Sequence, residues 1–319
     1  MIPQKDLIVV TSAPHLHSPD NVPTAMRDVL IALTPALIAA LYFFRLPALL
    51  VILTCVISAY AAEIVCLKIM KRESPPRESS AIITGLLLAF CLPPSLPLWM
   101  AVLGTLFAIV VAKHLFGGLG QNIFNPALIG RAFLLASFPV AMTNWTNPLD
   151  GLSTATPLGI MKEAGGEVLP SLGDIFFGSV SGSIGETSAL ALLLGGAYLL
   201  YRRQIDWRIP GTFLGTVFLL TAMIGGIKGE GLWYPFYHLC AGGLLLGAFF
   251  MATDWVTSPV TKLGRILFGI GCGVLVVLIR IKGGYPEGVA YSILLMNVVT
   301  PLLDRYTKSR VFGRVKSHA

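Results

Sequence analysis

The stretch Leu46-Pro47-Ala48-Leu49-Leu50-Val51-Ile52-Leu53-Thr54-Cys55-Val56-Ile57-Ser58-Ala59-Tyr60-Ala61-Ala62-Glu63-Ile64-Val65-Cys66-Leu67 decides the fold class. It runs for a membrane thickness with a single charged residue, and about 20 mainly apolar residues suffice to cross the ~30 Å hydrocarbon layer as a helix. The remainder of the chain has the same character. Of 319 residues, 55% are hydrophobic and 12% charged, about half the charged share usual in soluble domains, roughly 25%. In lipid every backbone polar group must be satisfied internally, which leaves helices or a closed barrel. A barrel would show short segments of alternating polarity, and these runs are too long and too uniformly apolar. The expected fold is therefore an all-α polytopic membrane protein.

Ten apolar segments stand out, at 28–44, 46–67, 81–93, 97–112, 126–142, 186–201, 209–226, 235–252, 264–280 and 287–303. Segment 81–93 is short and stops at Pro93-Pro94, as a broken or half-length helix would. No apolar core precedes a small-residue cleavage site in the first 27 residues, so no cleavable signal peptide is expected. With the N-terminus inside, the inner side collects Lys5, Arg27, Lys68, Lys71, Arg72, Arg77, Lys113, Arg202, Arg203, Arg208, Lys262, Arg265, Arg305, Lys308, Arg310, Arg314 and Lys316. The outer side receives only Arg45, Lys162, Lys228, Arg280 and Lys282. Seventeen against five sets both termini in the cytoplasm by the positive-inside rule. The net charge of +7 thus encodes orientation rather than nucleic-acid binding. The chain divides into a cytoplasmic segment 1–27, a first membrane half 28–142, an extracytoplasmic loop 143–185, a second membrane half 186–303 and a basic tail 304–319, suited to anionic lipid.

The two halves carry a faint internal repeat. Ile83-Thr84-Gly85-Leu86-Leu87-Leu88-Ala89-Phe90 resembles Ala241-Gly242-Gly243-Leu244-Leu245-Leu246-Gly247-Ala248-Phe249, and Lys113 before Phe116-Gly117-Gly118 has a counterpart in Arg280 before Lys282-Gly283-Gly284. The copies run in opposite directions through the membrane, which implies two inverted five-helix repeats with the functional centre between them.

The outer loop contains Asp150-Gly151-Leu152-Ser153-Thr154-Ala155-Thr156-Pro157-Leu158. It resembles the Asp-x-x-Ser/Thr-Gly-Ala-Thr signature at which a flavin transferase esterifies FMN to the last threonine, with Thr154 standing where Gly is commonest. A phosphoester needs an alcohol oxygen, and Thr156 supplies it; Asp150 and Ser153 complete the signature. The other polar stretch is Lys113-His114-Leu115-Phe116-Gly117-Gly118-Leu119-Gly120-Gln121-Asn122-Ile123-Phe124-Asn125-Pro126-Ala127. Its glycines permit close backbone approach. Asn125-Pro126 reads as a cap and first turn, whose free N–H groups suit an anion or an electron-rich ring. Gly117, Gly118 and Asn125 are candidate cofactor contacts on that ground.

Arg131 lies within a span, at a cost of at least about 2.5–3.5 kcal/mol on insertion scales. It calls for a partner: an acid such as Glu63, helix carbonyls, or a flavin or quinone. It is read as nearer the cytoplasmic third of its span. Asp254 reads as interfacial. His15 and His17 are a weak metal signal, and no metal is expected. The five cysteines, Cys55, Cys66, Cys91, Cys240 and Cys272, form no Cys-x-x-Cys pair. A self-contained iron–sulfur or zinc site is not expected, although a cysteine shared with a partner's cluster stays open.

Together, Ala13-Pro14-His15 with Ser18-Pro19 and Met26, the block Phe116–Phe133, and Asp150–Leu158 resemble the D subunits of the Rnf electron-transport complexes, ion-translocating ferredoxin:NAD oxidoreductases. The B subunit of the sodium-pumping NADH:quinone reductase shares these blocks, but usually with a longer N-terminal extension; here the first span begins near residue 28. The resemblance implies covalent FMN on Thr156, a non-covalent riboflavin in the membrane part, and a fold like that of urea-transporter-type channels. It implies a relay in the bacterial inner membrane that is not catalytic alone. Its partners would be the A, B, C, E and G subunits, above all the FMN-bearing G subunit, and a flavin transferase. The chain has no Gly-x-Gly-x-x-Gly unit for NAD. A urea-type solute channel is the rival of a different class. Na⁺ or H⁺, electron direction, ion path and the place of a second flavin are not legible.

Overall fold

The computed structural model describes residues 21–71, 79–148, 154–163, 169–285 and 287–308. Among them the chain is all-helical. The helices are α1 (Val22–Ile69), α2 (Ser80–Phe90), α3 (Leu98–Leu106), α4 (Pro126–Ser137), α5 (Pro139–Met142), α6 (Pro157–Glu163), α7 (Leu172–Phe177), α8 (Ala189–Tyr201), α9 (Arg208–Lys228), α10 (Trp233–Cys240), α11 (Leu244–Leu246), α12 (Lys262–Lys282) and α13 (Val289–Tyr306). Two π-helical stretches extend them, Phe107–His114 after α3 and Gly247–Met251 after α11.

The helices α1, α9 and α12 are long and apolar enough to cross a membrane, and α10 with the stretch Leu244–Met251 is a comparably apolar pair bent by 63° at its break, the geometry of a broken span or a re-entrant loop. Shorter apolar helices of 10–17 residues, Ser80–Phe90, Leu98–His114, Pro126–Ser137 and Ala189–Tyr201, accompany them. The best windows of α1, α9 and α12 bury only 28%, 33% and 44% of their residues inside the protein. Their outer faces carry exposed Ile38, Ile57, Leu219, Met223 and Leu278, an arrangement that water would not tolerate and hydrocarbon would. This is an integral membrane protein.

At about 1.5 Å per residue, the 48 residues of α1 exceed twice the hydrocarbon thickness. The helix is broken at Arg45, with φ 51 and ψ −129, two residues before Pro47. Contacts show that the chain folds back there. Asp28 meets Arg202 and Gln204 at one end of the protein, and Glu63 meets Lys113. Val22, Ala25, Ser80, Lys113 and Gln204 line one common cavity, so both termini of α1 share that end. Phe43 instead touches Gly178, at the opposite end. The expected boundary between segments 28–44 and 46–67 is this break.

Small residues set the close approaches. A Cβ on Gly195 of α8 would meet the Ala32 carbonyl at 2.1 Å, and one on Gly85 of α2 would meet the Cys55 carbonyl at 2.8 Å. The first half of α1 therefore packs on α8 and its second half on α2. Segment 126–142 is interrupted at Phe138, and segment 235–252 at Ala241–Gly243, where Gly242 and Gly243 take φ 68 and 56. The run of 186–201 is helical only from Ala189.

Basic residues sort to the two ends as the sequence suggests. Lys113, Arg202, Arg208 and Arg265 pair with Glu63, Asp28 and Asp206 at the end that holds both termini of α1. Lys162 and Arg280 lie at the other, where Lys162 donates to the carbonyls of Gly283 and Tyr285.

Candidate functional site

Thr156 sits at the mouth of α6. Pro157 occupies the first helical position, where its missing N–H costs nothing, and Thr156 caps the helix by accepting from Gly159 N–H at 3.1 Å. Three further contacts fix its strand of loop. Thr154 N–H donates to the Trp145 carbonyl at 2.9 Å. Ser181 Oγ donates to the Ala155 carbonyl at 2.7 Å. Leu158 packs with Ile175, Val180, Tyr237 and Ala241. Thr156 is thereby held at the end opposite Lys113, with 5% of its surface exposed. Its hydroxyl oxygen only accepts among the described residues, so replacing the O–H by a phosphoester breaks no donated bond. That fits the chemistry of the group the motif implies. Asp150 and Ser153 lie outside the described residues.

Beneath this loop is a buried ionic cluster. Arg131 on α4 binds Glu287 through Nη2 and faces Glu186 with Nη1, 3.7 Å from Oε1. Arg280 on α12 donates through Nη1 to the His238 carbonyl at 2.6 Å and through Nη2 to the Ala241 and Gly242 carbonyls, each at 3.0 Å. It thus closes the C-terminal end of α10, where a cation also meets the negative end of the helix dipole. A small cavity of about 50 Å³ lies among Arg131, Trp145, Glu186, Gly242 and Glu287.

The position of Arg131 corrects two expectations. Its partners are Glu287 and Glu186, not Glu63, and it lies toward the end that carries Thr156 rather than the end that carries Lys113. The reason is the direction of α4: the helix starts at Asn125, beside the Met251 carbonyl, and rises toward the Thr156 loop, which puts its second turn beside Glu287. Glu63 instead receives Lys113 Nζ at 2.9 Å on both oxygens and lies 2.9 Å from His114 Nε2. Lys113 also donates to Ser80 Oγ at 2.8 Å. The π-helical stretch Phe107–His114 brings both basic residues to one carboxylate.

The glycine-rich block is at this second end. Gly117, Gly118 and Gly120 take φ 122, 96 and 89, conformations that disfavour any side chain. Asn125 caps α4 as expected, accepting from Ala127 N–H at 3.0 Å and Leu128 N–H at 3.4 Å. Its amide donates to the Met251 carbonyl at 3.3 Å, and in the amide orientation that satisfies both groups Asn297 accepts from Asn125 N–H at 3.2 Å. Asn125 therefore ties α4 to the stretch Gly247–Met251 and to α13. It lines a mainly apolar cavity of about 300 Å³, together with Leu87, Asn122, Phe250 and Asp254. The structure does not bring this block together with Thr156; it makes two sites, one at each end. Among the described residues no group of three or more His, Cys, Asp or Glu could hold a metal, and the five cysteines are free.

Sequence reasoning missed Glu186, Glu287 and Arg280 as site residues. Glu186 and Glu287 each read as the first residue of an apolar segment, 186–201 and 287–303. Only the fold shows that both converge on Arg131.

An all-helical polytopic membrane protein with a sharply bent helix pair, a buried ionic cluster and a capped threonine above it is the class these features define. Residues 9–313 match the NQR2, RnfD, RnfE family, and the chain belongs to it. It is 48% identical to the D subunit of the proton-translocating ferredoxin:NAD(+) oxidoreductase complex of Clostridium ljungdahlii, covering 97% of each chain. It is 49% identical to the D subunit of the Na(+)-translocating ferredoxin:NAD(+) oxidoreductase complex of Acetobacterium woodii, over 97% of this chain and 96% of that one. With the D subunit of the ion-translocating oxidoreductase complex of Escherichia coli (strain K12) the identity is 41%, over 96% and 99%.

Proposed function

We propose that this chain is the D subunit of an ion-translocating ferredoxin:NAD⁺ oxidoreductase complex and carries FMN as a phosphoester on Thr156. The observation that carries this reading is the placement of Thr156. It is a hydroxyl at the motif's acceptor position, fixed by Trp145, Ser181 and Gly159 at the end of the protein that holds few basic residues. By the charge asymmetry that end faces outward, with both termini in the cytoplasm of a bacterial cell and this membrane its inner one. When bound, FMN supplies one- or two-electron chemistry that the protein tunes by burial and hydrogen bonding. The residues here hold its attachment point rigid and keep buried charges below it. Electrons would enter from an outward-facing partner such as the G subunit, and a flavin transferase would load the threonine.

The membrane part is read as two inverted five-segment halves, ten segments in all when α1 counts twice and the α10–α11 pair once. Three pairings support it. The aligned stretches Ile83–Phe90 and Ala241–Phe249 each fall on a short helical run, Ser80–Phe90 and Leu244–Met251. Lys113 and Arg280, aligned in the repeat, are both buried but lie at opposite ends. Asn125 and the stretch Gly247–Met251 meet where the halves join.

A non-covalent riboflavin would be held in the cavity of about 300 Å³, whose apolar walls and Asn122 and Asn125 amides suit a flat ring with polar edges. Two relatives almost equally similar to this chain are named for different ions, so overall similarity does not assign Na⁺ or H⁺. The test is direct: protein made in cells with an active flavin transferase should be yellow and give a UV-fluorescent band that survives denaturing electrophoresis. A colourless, non-fluorescent band would favour a solute channel.

A further inference from the structure

The segment before α8 turns tightly. Ile184 and Gly185 donate their N–H groups to the Leu92 and Phe90 carbonyls at 3.0 and 2.9 Å, which finishes the end of α2, and Glu186 N–H returns to the Ser183 carbonyl at 3.1 Å. This geometry turns the Glu186 side chain inward, where only 5% of it is exposed. Its Oε1 is buried and receives no hydrogen bond. The nearest cation is Arg131 Nη1 at 3.7 Å, beyond hydrogen-bond reach, because the other arm of that guanidinium is committed to Glu287. Glu287 Oε1 is likewise buried without a hydrogen bond. Arg280 gives both terminal nitrogens to backbone carbonyls.

Two carboxylates therefore share one guanidinium, and each keeps a buried oxygen without a donor. Such an oxygen is costly to bury unless a positive charge or a proton satisfies it. Room exists for one. The adjoining cavity is about 50 Å³, against the ~10–15 Å³ that a water-sized occupant requires. At Gly243, with φ +56, a Cβ would lie 2.5 Å from Glu186 Oε1, so the absence of a side chain keeps that oxygen approachable.

We propose that Glu186, assisted by Glu287, binds a monovalent cation, H⁺ or Na⁺, in this cavity, with Arg131 as the internal cation that partly holds the place. The titratable and charged groups facing it are Arg131 on α4, Cys91 after α2, Arg280 on α12, Tyr285 after α12, and Glu287 and Tyr291 at the start of α13, with the buried Ser183 hydroxyl beside Glu186. The site communicates with the loop above it. Trp145, in the cavity wall, accepts from Thr154, and Ser181, on the Glu186 segment, donates to Ala155. Coupling of cation occupancy to a flavin rests on the reading of Thr156; the site itself does not.

The test therefore uses purified full-length Thr156→Ala protein, which lacks the acceptor hydroxyl. Hydrogen–deuterium exchange is measured on peptides covering residues 179–190 and 284–292, with NaCl against choline chloride at fixed pH, then across pH in choline with intrinsic rates corrected. Sodium as the ligand predicts severalfold slower exchange with NaCl. The proton as the ligand predicts no NaCl effect and slower exchange on acidification. Either response should vanish in Glu186→Gln, and its half-point should move in Glu287→Gln. No response to either cation, or the same response in Glu186→Gln, would overturn the site. If Glu186→Gln does not fold, an unmoved half-point in Glu287→Gln overturns it.

Discussion

Arg131 shows how much one buried charge commits. The guanidinium pairs with Glu287 and stands beside Glu186 inside the membrane region, so removing it strands two carboxylates. Breaking a buried pair from one side costs about 3–5 kcal/mol. Arg131→Ala should therefore lower the unfolding midpoint and slow electron transfer, while the flavin on Thr156 stays attached, as read by in-gel fluorescence. Arg131→Lys should recover only part, because an ammonium cannot hold two carboxylates with a planar fork. Normal turnover and an unchanged midpoint in the Ala variant would make the cluster dispensable. Asp206, in the turn between α8 and α9, is a simpler case. Burial raises its carboxyl, but the Arg208 backbone N–H and the Arg265 and Arg208 guanidinium groups outweigh it and hold the carboxyl below its usual value. A lowered value means stability that is present above the ordinary carboxylate range, near pH ~3.9, and lost as pH falls through the folded value. Asp206→Asn should cost about 1 kcal/mol near neutral pH, and wild type and variant should converge in unfolding experiments below about pH 4.

At the scale of elements, glycines report which helix contacts are tight. Gly195→Ala pushes a methyl into the Ala32 carbonyl, 2.1 Å from the ideal Cβ position, and should destabilise the α1–α8 contact by about 1–3 kcal/mol. Gly215→Ala in α9 meets nothing within 4 Å and should be neutral or stabilising by up to about 1 kcal/mol. Thermal unfolding of the two variants in detergent separates these outcomes. The same elements show what the sequence carries. Apolar length locates the segments, the gap at Arg45-Leu46-Pro47 locates a break, and Asn125-Pro126 locates a helix start, because each is a local property of the chain; the break at Gly242-Gly243 falls inside a segment, 235–252, that reads as continuous. Partner choice is not local. Arg131 and Glu63 are both intramembrane charges, and pairing them is reasonable until the fold puts Lys113 beside one and Glu287 beside the other.

For the whole molecule, the contacts define two ends. Asp28, Glu63 and Asp206 meet basic residues at one end, and Thr156 lies at the other. Reporters fused after Arg203 and Lys316 should read as cytoplasmic, and one fused after Gly166 as extracytoplasmic. A cytoplasmic reading at Gly166 would put Thr156 on the side opposite to the one proposed here. The separation of the glycine-rich block from Thr156 is also a whole-molecule property. Both stretches read as cofactor-binding in the sequence, and the charge count, which puts Lys113 inside and the 143–185 loop outside, already separates them.

Attachment of FMN to Thr156 is the central claim, and mass spectrometry of the peptide spanning Leu149 to Lys162 tests it most directly. In protein from cells with an active flavin transferase, the adduct should map to Thr156, disappear in Thr156→Ala, persist in part in Thr156→Ser, and survive Thr154→Ala. An unmodified peptide from such cells, or an adduct on Thr154, would contradict it.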